Sequence, residues 1–215
     1  MTVPILAFLA GTVRPLANGE GSAIAKAPLE GPVRITFLGI EGDQQADLRV
    51  HGGPDKALHH YPIDHYAYWA TKAVDHPLLN APGAFGENVS TYGLREHEVC
   101  IGDLFRLGSA LVEISQGRQP CWKQAARMEW ATLPAMMVRE RRSGWYYRVI
   151  EEGEAEAGAM LTLVDRPLPD WSVRRVFGII IGGDHRVDAA ALPALAAMEV
   201  LFEGWRARAL ELMGN

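Results

Sequence analysis

Gly102-Asp103-Leu104-Phe105-Arg106-Leu107-Gly108-Ser109-Ala110-Leu111-Val112-Glu113-Ile114-Ser115 reads as two short apolar strands, Asp103–Leu107 and Ala110–Ser115, separated by Gly108-Ser109. The same texture recurs at Pro32–Leu38, Trp145–Ile150 and Met160–Val164, and more weakly at Val3–Val13 and Glu87–Ser90. Many short strands with glycine-rich turns predict a barrel or sandwich rather than a βαβ sheet. Helical insertions interrupt them. Pro62 suits the first position of a helix running to about Val74, with Tyr66, Trp69 and Val74 on its apolar side. A second helical stretch, Trp122 to Arg141, is interrupted at Pro134, where a new helix is expected.

Beyond Asp165, the segment Arg166-Pro167-Leu168-Pro169-Asp170 reads as a linker, followed by helices over Val173–Ile181, Asp188–Ala197 and Glu199–Met213. The expected organisation is a domain over residues 1–165 and a three-helix module over 166–215. Three short helices bury too little surface to stand alone, so the module is expected to pack on the barrel or on a partner. Covering the barrel, dimerising the chain and docking another protein through Arg174, Arg175, Arg206 and Arg208 all remain open as its role.

The 215 residues are 48% hydrophobic and 22% charged, an ordinary globular composition that needs no disulfide or zinc to fold. A net charge of −5 argues against a nucleic-acid binder built on a broad basic face and leaves room for a local basic pocket. Two cysteines, Cys100 and Cys121, exclude a four-cysteine iron–sulfur cluster and a cysteine-rich zinc module. The apolar start, Met1 to Gly11, lacks the positive region of a secretory signal and reads as a first strand. No apolar run reaches membrane-span length, so the expectation is a cytoplasmic chain without a membrane partner.

Cys121 stands in Ser115-Gln116-Gly117-Arg118-Gln119-Pro120-Cys121-Trp122-Lys123, a strand end, a turn and a helix start. The helix dipole and the flanking Arg118 and Lys123 favour a thiolate there, the setting of a nucleophile or soft-metal ligand; a buried structural cysteine is the alternative. Cys100, within an apolar run, reads as core. Gly39-Ile40-Glu41-Gly42-Asp43 and Val50-His51-Gly52-Gly53-Pro54-Asp55-Lys56 are glycine-rich loops able to bring backbone amides to an anion, with Arg49, His51 and Lys56 supplying charge; ordinary turns are the other reading. His59-His60-Tyr61-Pro62-Ile63-Asp64-His65 invites a metal, but its spacing fits no zinc pattern, and a loop and helix start with hydrogen-bonded histidines is the alternative. In Phe85-Gly86-Glu87-Asn88, Asn88 either offers its amide to a heterocycle or belongs to a structural turn.

The order of these motifs carries more information than any one of them. Ser22-Ala23-Ile24-Ala25-Lys26, the two glycine loops, Phe85-Gly86-Glu87-Asn88, Gly102-Asp103, Ser115-Gln116 through Pro120-Cys121, and Ser143-Gly144-Trp145-Tyr146 together resemble a MOSC-domain protein of the YiiM-like branch. The resemblance covers nearly the whole chain and is strongest from Lys26 to Ile150. It implies a mainly β (α+β) fold, a MOSC-type β-barrel with inserted helices and a small C-terminal helical module. It also implies the molybdenum cofactor (Mo-molybdopterin), with Cys121 as protein ligand to the metal and as catalytic residue. Lys26, Arg49, His51, Lys56 and Arg118 are then candidates to hold phosphate and pterin, and Asn88 and Gln116 to hydrogen-bond. Asp43 would orient a lysine, bind pterin nitrogens or cap its loop. The implied reaction reduces small N-hydroxylated compounds, such as 6-hydroxylaminopurine, to the amine. No nicotinamide or flavin fingerprint occurs in the sequence, so electrons are expected from a separate reductase protein. Two other functions use the same residues: sulfur carriage on a Cys121 persulfide, and non-catalytic carriage of the cofactor.

Overall fold

The computed structural model describes residues 1–47, 52–73 and 75–214. Thirteen strands occur among them: β1 (Thr2–Ala10), β2 (Arg14–Pro15), β3 (Gly21–Ser22), β4 (Ala27–Pro28), β5 (Val33–Thr36), β6 (Gly39–Ile40), β7 (Leu58–His60), β8 (Val89–Thr91), β9 (Leu104–Leu107), β10 (Ala110–Gly117), β11 (Trp145–Glu151), β12 (Gly153–Ala155) and β13 (Met160–Asp165). In the main sheet the order β13-β9-β10-β11-β7-β8-β1 closes on itself through a β1–β13 pairing, giving a seven-strand barrel with β4 appended beside β1. Only the β7–β8 contact in this ring is parallel, with His60 opposite Val89.

Local pattern explains the strands. In β1, Val3 and Ile5 point inward while Thr2, Pro4 and Leu6 are exposed, the alternation of a half-buried strand. β10 is buried from Val112 to Gly117 because its outer side is also covered. A Cβ at Gly117 would press on Trp205, Phe177 and Val173, so glycine lets the C-terminal helices seat at this strand's end.

The helices are α1 (Asp64–Ala70), α2 (Trp122–Arg127), α3 (Leu133–Glu140), α4 (Val173–Ile180), α5 (Leu192–Ala197) and α6 (Glu203–Met213). Pro134 lies in the first turn of α3, as expected, but the preceding helix already ends at Arg127. The last two helices are shorter than the sequence suggested: Ala189–Ala191 forms a 3-10 turn before α5, and α6 begins only at Glu203. Ser172 caps α4 by accepting from Arg175 N at 3.2 Å.

Two apolar clusters result. The larger one joins barrel residues such as Ile5, Phe105, Ile114 and Trp145 with Val176, Phe177, Leu195 and Trp205 of the C-terminal helices. The smaller one gathers Tyr61, Tyr66, Trp69, Phe85, Leu133 and Met137 beneath the inserted helices α1–α3, with Tyr61 and Phe85 stacked at 4.1 Å. Among the described residues no helix is long and apolar enough to cross a membrane.

Candidate functional site

A cleft opens between the ends of β7, β10 and β11, the β2–β3 hairpin, the segment 43–46 and the start of α2. Cys121 lines it. This residue is the N-cap of α2, held in extended conformation (φ −127°, ψ 167°), and is half-buried, whereas Cys100 is buried with its thiol on Pro169 O at 3.4 Å.

Four cations and one carboxylate are among the lining side chains: Lys26, Lys56, Arg118 and Lys123 against Asp43. The chain's acidity is thus reversed locally. Asp43 is a fixed anchor: Gly11 N donates to its Oδ1 at 2.8 Å, Asn88 Nδ2 to its Oδ2 at 2.9 Å, and Lys26 forms a buried ion pair with it. Burial lowers the Lys26 pKa and the Asp43 charge pulls it back up. Lys56 ends a 3-10 turn, Pro54–Lys56, that is tied to the barrel through Asp55: Arg148 Nε donates to Asp55 Oδ1 at 2.6 Å and Ser115 Oγ to its carbonyl at 2.6 Å. The Lys56 ammonium also lies 4.6 Å from the centre of the Phe202 ring, which links the cleft to the chain entering α6.

Arg118 differs from the other cations. It follows the last residue of β10, its main-chain N–H donates to Gly144 O at 3.0 Å, and its side chain is buried, with Nε and Nη1 lacking any hydrogen-bond partner among the described residues. A buried guanidinium with open donors is costly unless an acceptor completes it, and a carboxylate or phosphate is the complementary group. Beside it, burial and then the Arg118 charge hold the His59 pKa well below the usual histidine value, so the imidazole is neutral at physiological pH. Burial raises the Tyr146 pKa while the Arg118 charge and hydrogen bond oppose it. The cleft therefore combines a thiol, fixed positive charge, a neutral imidazole and a protonated phenol.

The MOSC domain model matches residues 47–162, more than half of the chain. The chain belongs to the MOSC domain family. It is 45% identical over 156 residues to protein YiiM of Escherichia coli (strain K12), a match covering 73% of this chain and 70% of that protein. It is 37% identical over 179 residues to a protein of Gibberella moniliformis (strain M3125 / FGSC 7600) named "Reductase", covering 82% of this chain and 32% of that longer protein. The crystal structure of YiiM from Geobacillus stearothermophilus superposes with a TM-score of 0.82 at 32% identity, covering 99% of this chain and all of that one.

Against this MOSC barrel, the sequence candidates separate. Lys26, Asp43, Lys56, Asn88, Arg118 and Cys121 all line the one cleft. Asn88 does so with its amide engaged by protein: Oδ1 accepts from His59 N at 3.1 Å, and Nδ2 donates to Leu9 O at 3.1 Å as well as to Asp43. Gln116 is buried and is not among the lining residues. Arg49 and His51 lie outside the described residues.

The histidine run is resolved as structure. His59 and His60 belong to barrel strand β7, not to a loop. His60 is bonded at both ring nitrogens, Nδ1 with Tyr147 Oη at 3.0 Å and Nε2 with Thr91 Oγ1 at 2.9 Å; His65 contacts Glu96 and Arg142 in the same fashion. No group of three His, Cys, Asp or Glu side chains among the described residues is placed to hold a metal by itself.

His59, weighed from the sequence only as part of a metal run, and Tyr146, quoted only within a motif, both line the cleft. The β7–β11 register sets them directly opposite each other. Each stands inside a motif visible in the sequence, yet only strand pairing brings the two motifs together.

Proposed function

We propose that this MOSC protein is a cytoplasmic molybdenum-cofactor-dependent reductase that converts small N-hydroxylated compounds to amines, with Cys121 as the protein ligand to the metal. The observation that carries this reading is Arg118: it lines the same cleft as Cys121, and its buried guanidinium keeps two donor nitrogens without a partner among the described residues. A single thiol beside converging cations is the donor set that an anionic, sulfur-rich molybdenum pterin requires, because a soft thiolate suits the metal and charge-assisted bonds suit its phosphate. The relative named "Reductase" supports the reaction class.

When bound, the cofactor supplies a two-electron couple for cleaving the N–O bond. The balance is R–NHOH + 2e⁻ + 2H⁺ → R–NH₂ + H₂O. Arg118, Lys26, Lys56 and Lys123 hold the anionic part of the ligand, with Lys26 kept in place by Asp43. Tyr146 remains protonated and accepts from the Arg118 guanidinium, which leaves its hydroxyl proton available to a ligand, while neutral His59 offers an imidazole next to it. Electrons come from a separate reductase protein.

Elemental analysis and turnover test this function together. Wild-type protein from a cofactor-competent host should contain molybdenum and reduce 6-hydroxylaminopurine with reduced viologen as donor, and Cys121→Ala should lose both. Full loading and turnover in Cys121→Ala would overturn the assignment. A labile 32 Da adduct on Cys121 without molybdenum would indicate sulfur carriage instead, and bound cofactor without turnover would indicate a carrier.

A further inference from the structure

Glu96 is buried and outside the residues that line the cleft, and its carboxylate accepts three hydrogen bonds. Oε1 accepts from both Ser143 N at 2.9 Å and Gly144 N at 2.8 Å, while Oε2 accepts from His65 Nε2 at 2.7 Å. His65 Nδ1 accepts in turn from Arg142 Nη1 at 2.9 Å. Burying a carboxylate is expensive unless its acceptor capacity is filled, and here an imidazole and two main-chain amides fill it.

The carbonyls of the same two residues contact residues that line the cleft. Ser143 O lies 3.4 Å from His59 Nε2, and Gly144 O accepts from Arg118 N. Gly144 has φ +72°, and a Cβ there would run into His60 O, so the turn has little freedom to shift without losing one of these contacts. The Glu96 carbonyl also accepts from Arg174 N at 2.8 Å, tying the first turn of α4 to the same point.

We propose that Glu96 is a positioning residue for the cleft: by gripping both amides of the Ser143–Gly144 turn it aims the turn's carbonyls, and through them sets the placement of His59 and Arg118. The inference rests on the reading of the cleft as an anion site. It assigns no contact between Glu96 and any ligand. Its chemistry predicts that the two amides need an oxygen acceptor at full side-chain length, whereas the negative charge itself matters less.

The test compares Glu96→Gln, Glu96→Asp and Glu96→Ala by binding of inorganic pyrophosphate in calorimetry and by ¹⁵N NMR of the His59 ring. Glu96→Gln keeps an oxygen for both amides while its NH₂ replaces the acceptor of His65 Nε2–H, so it should lower Tm through the lost His65 bond, yet bind within about threefold of wild type with little change at His59. Glu96→Asp and Glu96→Ala should each weaken binding by about tenfold or more and move the His59 ring signals. Wild-type affinity and unmoved His59 signals in Glu96→Asp, even with a lowered Tm, would overturn the proposal by reducing Glu96 to a stabilising role. Should Glu96→Ala fail to fold, the Asp and Gln variants decide. If wild-type protein itself ignores pyrophosphate, the anion reading fails, and the His59 signals alone decide the positioning: moved by Asp and not by Gln supports it, unmoved by Asp overturns it.

Discussion

His59 on β7 stands across the barrel wall from Tyr146 on β11, ring centroids 5.3 Å apart and planes tilted by 44°. The pair places a neutral imidazole and a protonated phenol side by side in the cleft that Cys121 lines. Both owe their state to burial modulated by Arg118, which makes that arginine the electrostatic centre of the site.

Arg118 should therefore act oppositely on stability and on binding. Replacing it with methionine removes a buried guanidinium whose Nε and Nη1 lack partners, and should stabilise the ligand-free protein by about 1–3 kcal/mol in denaturant unfolding. The same variant should lose pyrophosphate binding, and its His59 pKa should rise because a repelling charge is gone. A destabilised Arg118→Met that still bound pyrophosphate would contradict this assignment.

Asp43→Asn should separate the two effects that set the Lys26 pKa. Burial lowers it and Asp43 raises it, so removing the carboxylate charge must lower it further. Breaking this buried pair should cost about 3–5 kcal/mol in unfolding free energy. Lysine side-chain NMR across a pH titration would show the Lys26 signal titrating at lower pH in the variant; an unchanged midpoint would refute the coupling.

Acid should destabilise the fold through His60. Burial depresses its pKa to about 3, against an ordinary value near 6.5. Between these values the unfolded chain binds a proton that the folded chain refuses, so stability is full above about pH 6.5 and falls as pH drops toward 3, by about 1.4 kcal/mol per unit. Unfolding curves at pH 6.5 and 5.0 should differ by about 2 kcal/mol less in His60→Asn than in wild type. Equal pH dependence in the two proteins would exclude His60 as a source.

Much of this architecture was legible in the sequence because it is encoded locally. Alternation in β1, the glycine-separated β9 and β10, and the proline at the start of α3 each act over a few residues. The short β7 was not legible: Leu58–His60 has no alternation, is buried at all three positions, and carries histidines that suggest a metal more readily than a strand. The first part of the Glu199–Met213 pattern failed for a related reason. Phe202 N donates to Ser115 O at 3.0 Å, and that contact with β10 holds the chain out of helix until Glu203.

The sequence by itself determined that cysteine chemistry here is solitary, that the chain is built of short strands with inserted helices, and in what order its motifs run. Tertiary structure alone decided which of those residues meet. It brought Lys26, Lys56, Arg118 and Cys121 to one cleft, kept Gln116 out of it, and added His59 and Tyr146. The physical reason is that periodicity specifies which face of a strand is buried, whereas cross-strand register depends on pairings between distant segments that no local pattern contains.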